Sequence, residues 1–355
     1  MKATLAVILT QLMWAGAASA QTANYDGENR PFGDKGLFGQ IKTKAPEVPA
    51  IGKLVTAPGG DVKADQPKEK EKIFHWVKMK CADDGETGVD PTPASPPLGI
   101  DDADTPGCKV WEVNVHGVRD RMPGSTQWEA PVLDANYGIG ANLQLKFEVP
   151  MIWLHEKGVA GTQKDLGNAA FGVKWQFLSI EKSGTSVAYY PQISFAPPGA
   201  KKGDAHLDSN TKTVTNLFIV DQDLGKIKGH EVIAVGNFAY NSALGGEESN
   251  SIVTAAGIGV RATNRVAIMG NIDSARNTSF NEHGIKEHEV MGRIGAMVRV
   301  TEWLNAYASA GHTIGGNMPP HTVMMAGAQF NIAPGHKPVG DGVGVNYRNP
   351  RLPGR

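Results

Sequence analysis

The feature that most constrains this chain is a series of segments between Val110 and Ile332 in which apolar and polar side chains alternate. A β-strand has a side-chain period of two, so strict alternation gives one apolar face and one polar face. The segment 141–149 (ANLQLKFEV) shows the pattern best, with Ala, Leu, Leu, Phe and Val on one face and Asn, Gln, Lys and Glu on the other. The repeated pattern therefore predicts many half-buried strands.

The connections between these segments alternate between long and short, which is typical of outer-membrane barrels. Strands are predicted at 110–119, 127–137, 140–150, 168–180, 185–196, 213–223, 229–241, 251–262, 265–274, 287–300, 303–313 and 320–332. Short connections fall at 138–139, 181–184, 224–228, 263–264 and 301–302, and longer ones at 120–126, 151–167, 197–212, 242–250, 275–286 and 314–319. We predict an all-β fold, a transmembrane up-and-down antiparallel β-barrel of about 12 strands with both termini in the periplasm.

The polar faces of these strands are expected to line the lumen, because an Arg or Lys facing lipid at mid-bilayer costs about 2–4 kcal/mol. The alternative interpretation of the same side chains is a salt-bridged filling that holds the lumen together. Two strands, 213–223 and 229–241, are apolar on both faces and fit the rule less cleanly. The candidate lumen-lining residues are Asp134, Asn136, Lys146, Glu148, Lys174, Gln176, Arg261, Asp273, Arg293 and Arg299.

The segments on either side of the barrel have a different composition. Residues 1–20 have the pattern of a cleaved signal peptide, with Lys2, an apolar core and Ala18-Ser19-Ala20, which predicts export. Residues 21–72 are rich in Gly, Pro and charge, and we interpret residues 21–109 as a periplasmic extension that is mostly unstructured. Residues 333–355 are a Gly- and Pro-rich C-terminal tail.

Cys81 and Cys108 are the only cysteines, and they flank an acidic, Pro-rich loop. Export to an oxidising compartment favours a structural disulfide between them. Two free thiols and a calcium-binding loop are the other interpretations. The carboxylates lack the spacing and central glycine of an EF-hand loop, so the disulfide is the preferred prediction.

The sequence shows no pattern typical of an enzyme or of a nucleic-acid-binding protein. The net charge is −1, and no basic run is interleaved with aromatic residues, which argues against nucleic acid as a partner. Gly257 and Gly259 imitate a dinucleotide fingerprint, but they lie inside a strand pattern with no helix to bind a phosphate. We expect no catalytic residues, no cofactor and no metal site.

Three blocks of sequence resemble the MetA-pathway phenol-degradation family of outer-membrane β-barrel proteins. These blocks are 128–150 (WEAPVLDANYGIGANLQLKFEVP), 165–178 (DLGNAAFGVKWQFL) and 187–195 (VAYYPQISF). The proteins of this family are often described as transporters. The resemblance implies the passage of aromatic or other hydrophobic small molecules across the outer membrane of a Gram-negative cell.

The sequence as a whole predicts a porin-like channel that passes small molecules through a polar lumen. Its expected partners are outer-membrane lipid, a small-molecule solute and the outer-membrane assembly machinery. The alternative hypothesis is a structural or anchoring barrel that transports nothing because segment 21–109 plugs its lumen.

Overall fold

The computed structural model describes residues 89–180, 183–197, 212–244, 249–280 and 284–333. In these ranges the chain forms thirteen β-strands: β1 Trp111–Met122, β2 Ser125–Gly138, β3 Leu143–Glu156, β4 Gln163–Leu166, β5 Ala169–Ile180, β6 Thr185–Phe195, β7 Lys212–Ile227, β8 His230–Leu244, β9 Ser251–Thr263, β10 Val266–Asn277, β11 His288–Arg299, β12 Leu304–Gly316 and β13 Thr322–Ile332. No helix among the described residues is long and apolar enough to cross a bilayer.

Twelve of the strands close into a ring in which every neighbour is antiparallel. The ring runs β1-β2-β3-β5 and then in chain order to β13, which pairs with β1 from Trp111 opposite Ile332 to Arg121 opposite Thr322. The thirteenth strand, β4, pairs with residues 151–154 near the end of β3 and is not one of the twelve strands of the ring. The predicted up-and-down barrel of about 12 strands is confirmed.

Connections at the two ends of the barrel differ in length, as the sequence predicted, with one exception. One end, which we call the short-turn end, carries the connections 139–142, 181–184, 228–229, 264–265 and 300–303. The opposite, long-loop end carries 157–168, 196–211, 245–250, 278–287 and 317–321. The predicted long connection 120–126 is wrong: β1 continues to Met122, and Pro123-Gly124 forms a two-residue turn with Gly124 at φ +88°.

The predicted loop 151–167 is also shorter than expected. β3 continues to Glu156, and β4 uses part of the remaining chain. The reason is visible in the sequence of β3, where the alternation is broken at Pro150-Met151-Ile152-Trp153, so a pattern search ends the strand early although the backbone continues to pair with β2.

The outer surface of the ring is apolar. Phe147 is 45% exposed and Phe171 is 41% exposed, while Leu143, Leu145 and Trp175 are half-buried, so no second layer formed by the described residues covers this face. Aromatic side chains mark both ends of the cylinder. At the short-turn end Trp111 contacts Tyr137 and Trp303 stacks on Phe330, and at the long-loop end Trp128 lies opposite Trp153 on the neighbouring strand. An apolar belt between two aromatic girdles is the surface that a bilayer requires.

Several predictions concern residues outside the described ranges. The signal peptide at 1–20, most of the extension and Cys81 fall there, as do the residues of the tail after Ala333. Cys108 is described and buried, but its pairing with Cys81 stays a prediction.

Candidate functional site

Residues 89–110, which we call the plug, lie inside the barrel. The plug begins at the short-turn end, where the Val89 amide donates to the Asn264 carbonyl oxygen (3.2 Å) and Arg261 Nε donates to the Val89 carbonyl oxygen (2.8 Å). It reaches the middle of the lumen, where Ser309 Oγ donates to the Pro97 carbonyl oxygen (2.5 Å). It then returns to the short-turn end, where the Lys109 amide donates to the Gly138 carbonyl oxygen (2.7 Å).

This position changes the interpretation of the predicted extension. β1 begins at Trp111, and residues 89–109 before it have no regular secondary structure. They nevertheless pack within the cylinder rather than beside it. The composition of this segment is polar and proline-rich, so it lacks a strand or helix pattern, and only its contacts reveal that it is folded.

Polar contacts hold the plug on one side of the lumen. The Asp101 amide donates to Asn237 Oδ1 (2.8 Å), and Asn237 Nδ2 donates back to the Asp101 carbonyl oxygen (2.7 Å). The Ala103 amide donates to Oδ2 of the fully buried Asp221 (2.9 Å). Each buried polar group of the plug backbone that is satisfied in this way avoids a desolvation cost of about 1–3 kcal/mol.

On the β5 wall the plug forms an ion pair. Lys174 Nζ lies 3.0 Å from Asp102 Oδ1 and also donates to the Asp104 carbonyl oxygen (3.1 Å). Gln176 Nε2 donates to Asp104 Oδ1 (3.0 Å). Lys174 is buried, so the carboxylate of Asp102 is the group that balances its charge inside the barrel.

Apolar contacts complete the seat of the plug. Val89, Leu98, Ile100 and Ala103 are each at most 1% exposed. They belong to one hydrophobic cluster with inward side chains of the wall: Leu217, Ile219, Ile233, Val235, Ala239, Ala255, Ala267, Met269 and Met297. The strands that looked apolar on both faces, β7 and β8, therefore face lipid with one side and the plug with the other.

The fit between plug and wall is close at positions that carry glycine. A Cβ built on Gly259 would lie 1.6 Å from the carbonyl oxygen of Pro91, and one built on Gly138 would lie 1.6 Å from that of Gly107. No side chain can occupy either position while the plug keeps its place. Gly259 imitates part of a dinucleotide fingerprint in the sequence. In the structure, the absence of a side chain at this position makes room for the plug backbone.

All ten predicted lumen-lining residues lie on the inner face of the barrel. Lys174, Gln176 and Arg261 contact the plug, and their contacts are given above. Lys146 Nζ lies 2.8 Å from Glu148 Oε2 and 3.8 Å from Asp134 Oδ1. The remaining predicted residues are Asn136, Asp273, Arg293 and Arg299. Arg293 Nε lies 3.4 Å from Asp273 Oδ1. Their role in the passage of a solute stays a prediction.

A continuous polar surface covers the inner faces of β1, β2 and β3. Asn114 Nδ2 donates to Glu112 Oε1 (3.1 Å) and lies 3.2 Å from Asp134 Oδ2. Gln144 Nε2 donates to Asn136 Oδ1 (2.6 Å). We call this surface, with Lys146 and Lys174, the polar wall. The lumen therefore has two unlike sides, an apolar one under the plug and a polar one facing it.

Sequence reasoning missed the residues that hold the plug. Asp221 and Asn237 are two of several polar side chains on the inner faces of β7 and β8, and alternation alone does not distinguish them from the others. The available signal was the apolar character of the inner faces around them, since an apolar lumen surface needs a covering segment. Within the described residues, no group of three or more His, Cys, Asp or Glu side chains is placed to hold a metal ion.

Solved structures share this architecture. An outer membrane channel, COG4313 from Pseudomonas putida F1, is similar with a TM-score of 0.55 at 12% sequence identity, over 66% of this chain and 100% of that chain. The KdgM porin, in complex with disordered oligogalacturonate, is similar with a TM-score of 0.42 at 9% identity, over 62% of this chain and 99% of that chain. No family model and no curated protein matches the sequence. At such low identity the first likeness shows the fold, that of an outer-membrane β-barrel.

Proposed function

We propose that this protein is an outer-membrane channel for small molecules and that the plug closes it until it is displaced. The observation that carries the proposal is the plug itself, which fills the short-turn half of a closed barrel whose fold is that of an outer membrane channel. A solute cannot share that space with four buried apolar side chains. Passage of an organic solute therefore requires the plug to leave its seat.

The proposed solute class is small molecules with an aromatic or other hydrophobic part. Once the plug leaves, the inner faces of β7–β11 present Leu217, Ile219, Val235, Met269 and Met297 to the lumen. The polar wall lies opposite them. A passage with one apolar and one polar side suits a molecule with an apolar body and a polar group. The sequence resemblance to proteins of phenol degradation supports the same class.

The remaining proposals follow from the barrel. Its apolar belt and aromatic girdles support residence in the outer membrane of a Gram-negative cell, after export by the predicted signal peptide. Lipid is then the partner of the outer face. The outer-membrane assembly machinery is the proposed partner during folding, because the exported chain must be inserted into that membrane as a barrel.

The test compares two asparagine variants on neighbouring strands. Asn237→Ala removes both hydrogen bonds to Asp101 of the plug, whereas Asn216→Ala on the outer face of β7 removes a bond to Tyr189 only. We expect liposomes containing Asn237→Ala to admit benzenesulfonate and small sugars, which do not cross lipid bilayers unaided, at least several-fold faster than the wild type, with Asn216→Ala unchanged. Both variants must show the heat-dependent gel mobility of folded barrels.

The second candidate function is an anchoring barrel whose plug never moves. The observation that favours it is the nearly complete burial of Leu98 and Ile100, which resemble the core of a soluble domain. In that case Asn237→Ala lowers stability without raising solute entry. Equal swelling rates for the wild type and both variants would therefore replace the channel hypothesis with this one.

A further inference from the structure

The plug does not fill the lumen evenly. It packs closely against the apolar side, and a cavity of about 90 Å³ remains between the plug and the polar wall. The cavity extends from Asn331 at the short-turn end of β13 to Lys146 and Tyr190 in the interior of the barrel. This volume has room for several water molecules.

The groups around this cavity are polar and mostly negative. Five carboxyl groups, four of them from aspartates, and two ammonium groups line it: Asp90, Asp101, Asp102, Asp104 and Glu112 with Lys146 and Lys174. The charge of Lys174 is balanced by Asp102. The charge of Lys146 is balanced by Glu148, which does not line the cavity. Fixed charge of one sign in a narrow space with low-dielectric walls concentrates mobile ions of the opposite sign.

A second observation indicates that the cavity is hydrated. Tyr190 lines it and is 1% exposed, yet its hydroxyl has no hydrogen-bond partner among the described residues. A buried hydroxyl without a partner costs about 1–3 kcal/mol, so native structures supply one, commonly an ordered water. The adjacent cavity is polar and large enough to provide it.

We propose that the space between the seated plug and the polar wall is a water-filled passage for small monovalent cations. The protein then has two permeation states. With the plug seated it passes small hydrated cations and excludes organic solutes, and with the plug displaced it passes both. This inference goes beyond the proposed function, because it concerns the closed state and needs no movement of the plug.

The test is the zero-current potential of the full-length protein in planar lipid bilayers under a tenfold KCl gradient. We expect the wild type to conduct with a preference for K⁺ over Cl⁻ at voltages that leave solute entry undetectable. Asp101→Asn removes one of the lining charges at nearly constant shape and should lower the K⁺/Cl⁻ permeability ratio at least twofold. Glu302→Gln, in the turn between β11 and β12 and outside the lining, is the matched control and should leave the ratio unchanged.

Tyr190→Phe distinguishes the effect of the lining charges on the permeability ratio from that of the Tyr190 hydroxyl, since it removes the hydroxyl and leaves every charge in place. Its permeability ratio should equal that of the wild type. A wild-type protein that is silent in KCl, or that shows no preference for K⁺, overturns the proposal. So does a Tyr190→Phe variant that shifts the ratio as far as Asp101→Asn. The channel hypothesis is judged separately by the swelling of liposomes in organic solutes, so the two can fail independently.

Discussion

Replacing Gly259 by alanine should unseat the plug while leaving the barrel intact. Gly259 lies on the inner face of β9, and an added Cβ would meet the Pro91 carbonyl oxygen at 1.6 Å and its carbon at 2.9 Å. Both atoms belong to backbone, so the plug must move by more than an ångström. The strand has no such difficulty, because alanine is compatible with an extended conformation.

Overpacking of this kind typically costs about 1–3 kcal/mol, which corresponds to a roughly 5- to 150-fold shift from seated towards displaced plug. We expect a matching rise in the time-averaged conductance of single barrels in planar bilayers. Gly257→Ala should give an intermediate rise, because its Cβ would meet Pro93 Cβ at 3.2 Å.

Gly292→Ala is the control for any effect of alanine on a strand. It lies on the outer face of β11, where the nearest atom, Ile314 Cδ1, is 3.5 Å away. The reasoning is refuted if folded Gly259→Ala barrels conduct like the wild type, or if Gly292→Ala raises conductance equally.

Three further predictions concern stability. Leu98→Ala should lower the free energy of unfolding by about 2–5 kcal/mol because it opens a void in the cluster between plug and wall, whereas Ile294→Ala on the lipid face should lower it less. Denaturant unfolding in detergent micelles measures both losses, and equal losses would contradict a packed plug. Ile294→Arg places a charge in the apolar belt and should cost about 2–4 kcal/mol in lipid vesicles, so an unchanged unfolding midpoint would argue against a membrane on that face. His321, in the connection before β13, lies between Asp120 and Glu289; burial lowers its pKa, but the hydrogen bonds and charges of the two carboxylates outweigh burial and raise the pKa above its usual value. Its contribution to stability is thus complete below a pH of about 6.5 and is lost as the pH rises through the raised pKa. The thermal unfolding temperature of the wild type should therefore fall across that pH range, and His321→Gln should remove this pH dependence.

The barrel could be predicted from the sequence because its rule is local. Each strand needs only the alternation of side chains along itself, as in Leu143–Val149, and the loop lengths supply the order of neighbours. The inner position of charged residues followed from the same rule, because Lys146 and Lys174 have no tolerable alternative in lipid. Errors fell where the local rule stops, at Pro123-Gly124 and after Pro150.

The alternative hypothesis placed segment 21–109 in the lumen, but the conformation of the plug could not be predicted because no local rule describes it. Its conformation depends on partners more than a hundred residues away, such as Asn237 for Asp101 and Ser309 for Pro97. Low hydrophobicity and many prolines suggested disorder, which is correct for a segment in isolation. The enclosing wall satisfies the backbone groups that such a segment cannot satisfy by itself.

The two ends of the plug lie at the same mouth of the cylinder. Its C-terminal end continues directly into β1, and its first residue, Val89, lies beside the turn between β9 and β10. Residues 89–110 are thus folded back on themselves and do not thread the pore. A pull on the residues that precede Val89 could withdraw the whole segment by unzipping its contacts one after another, with no strand of the cylinder required to separate from its neighbour.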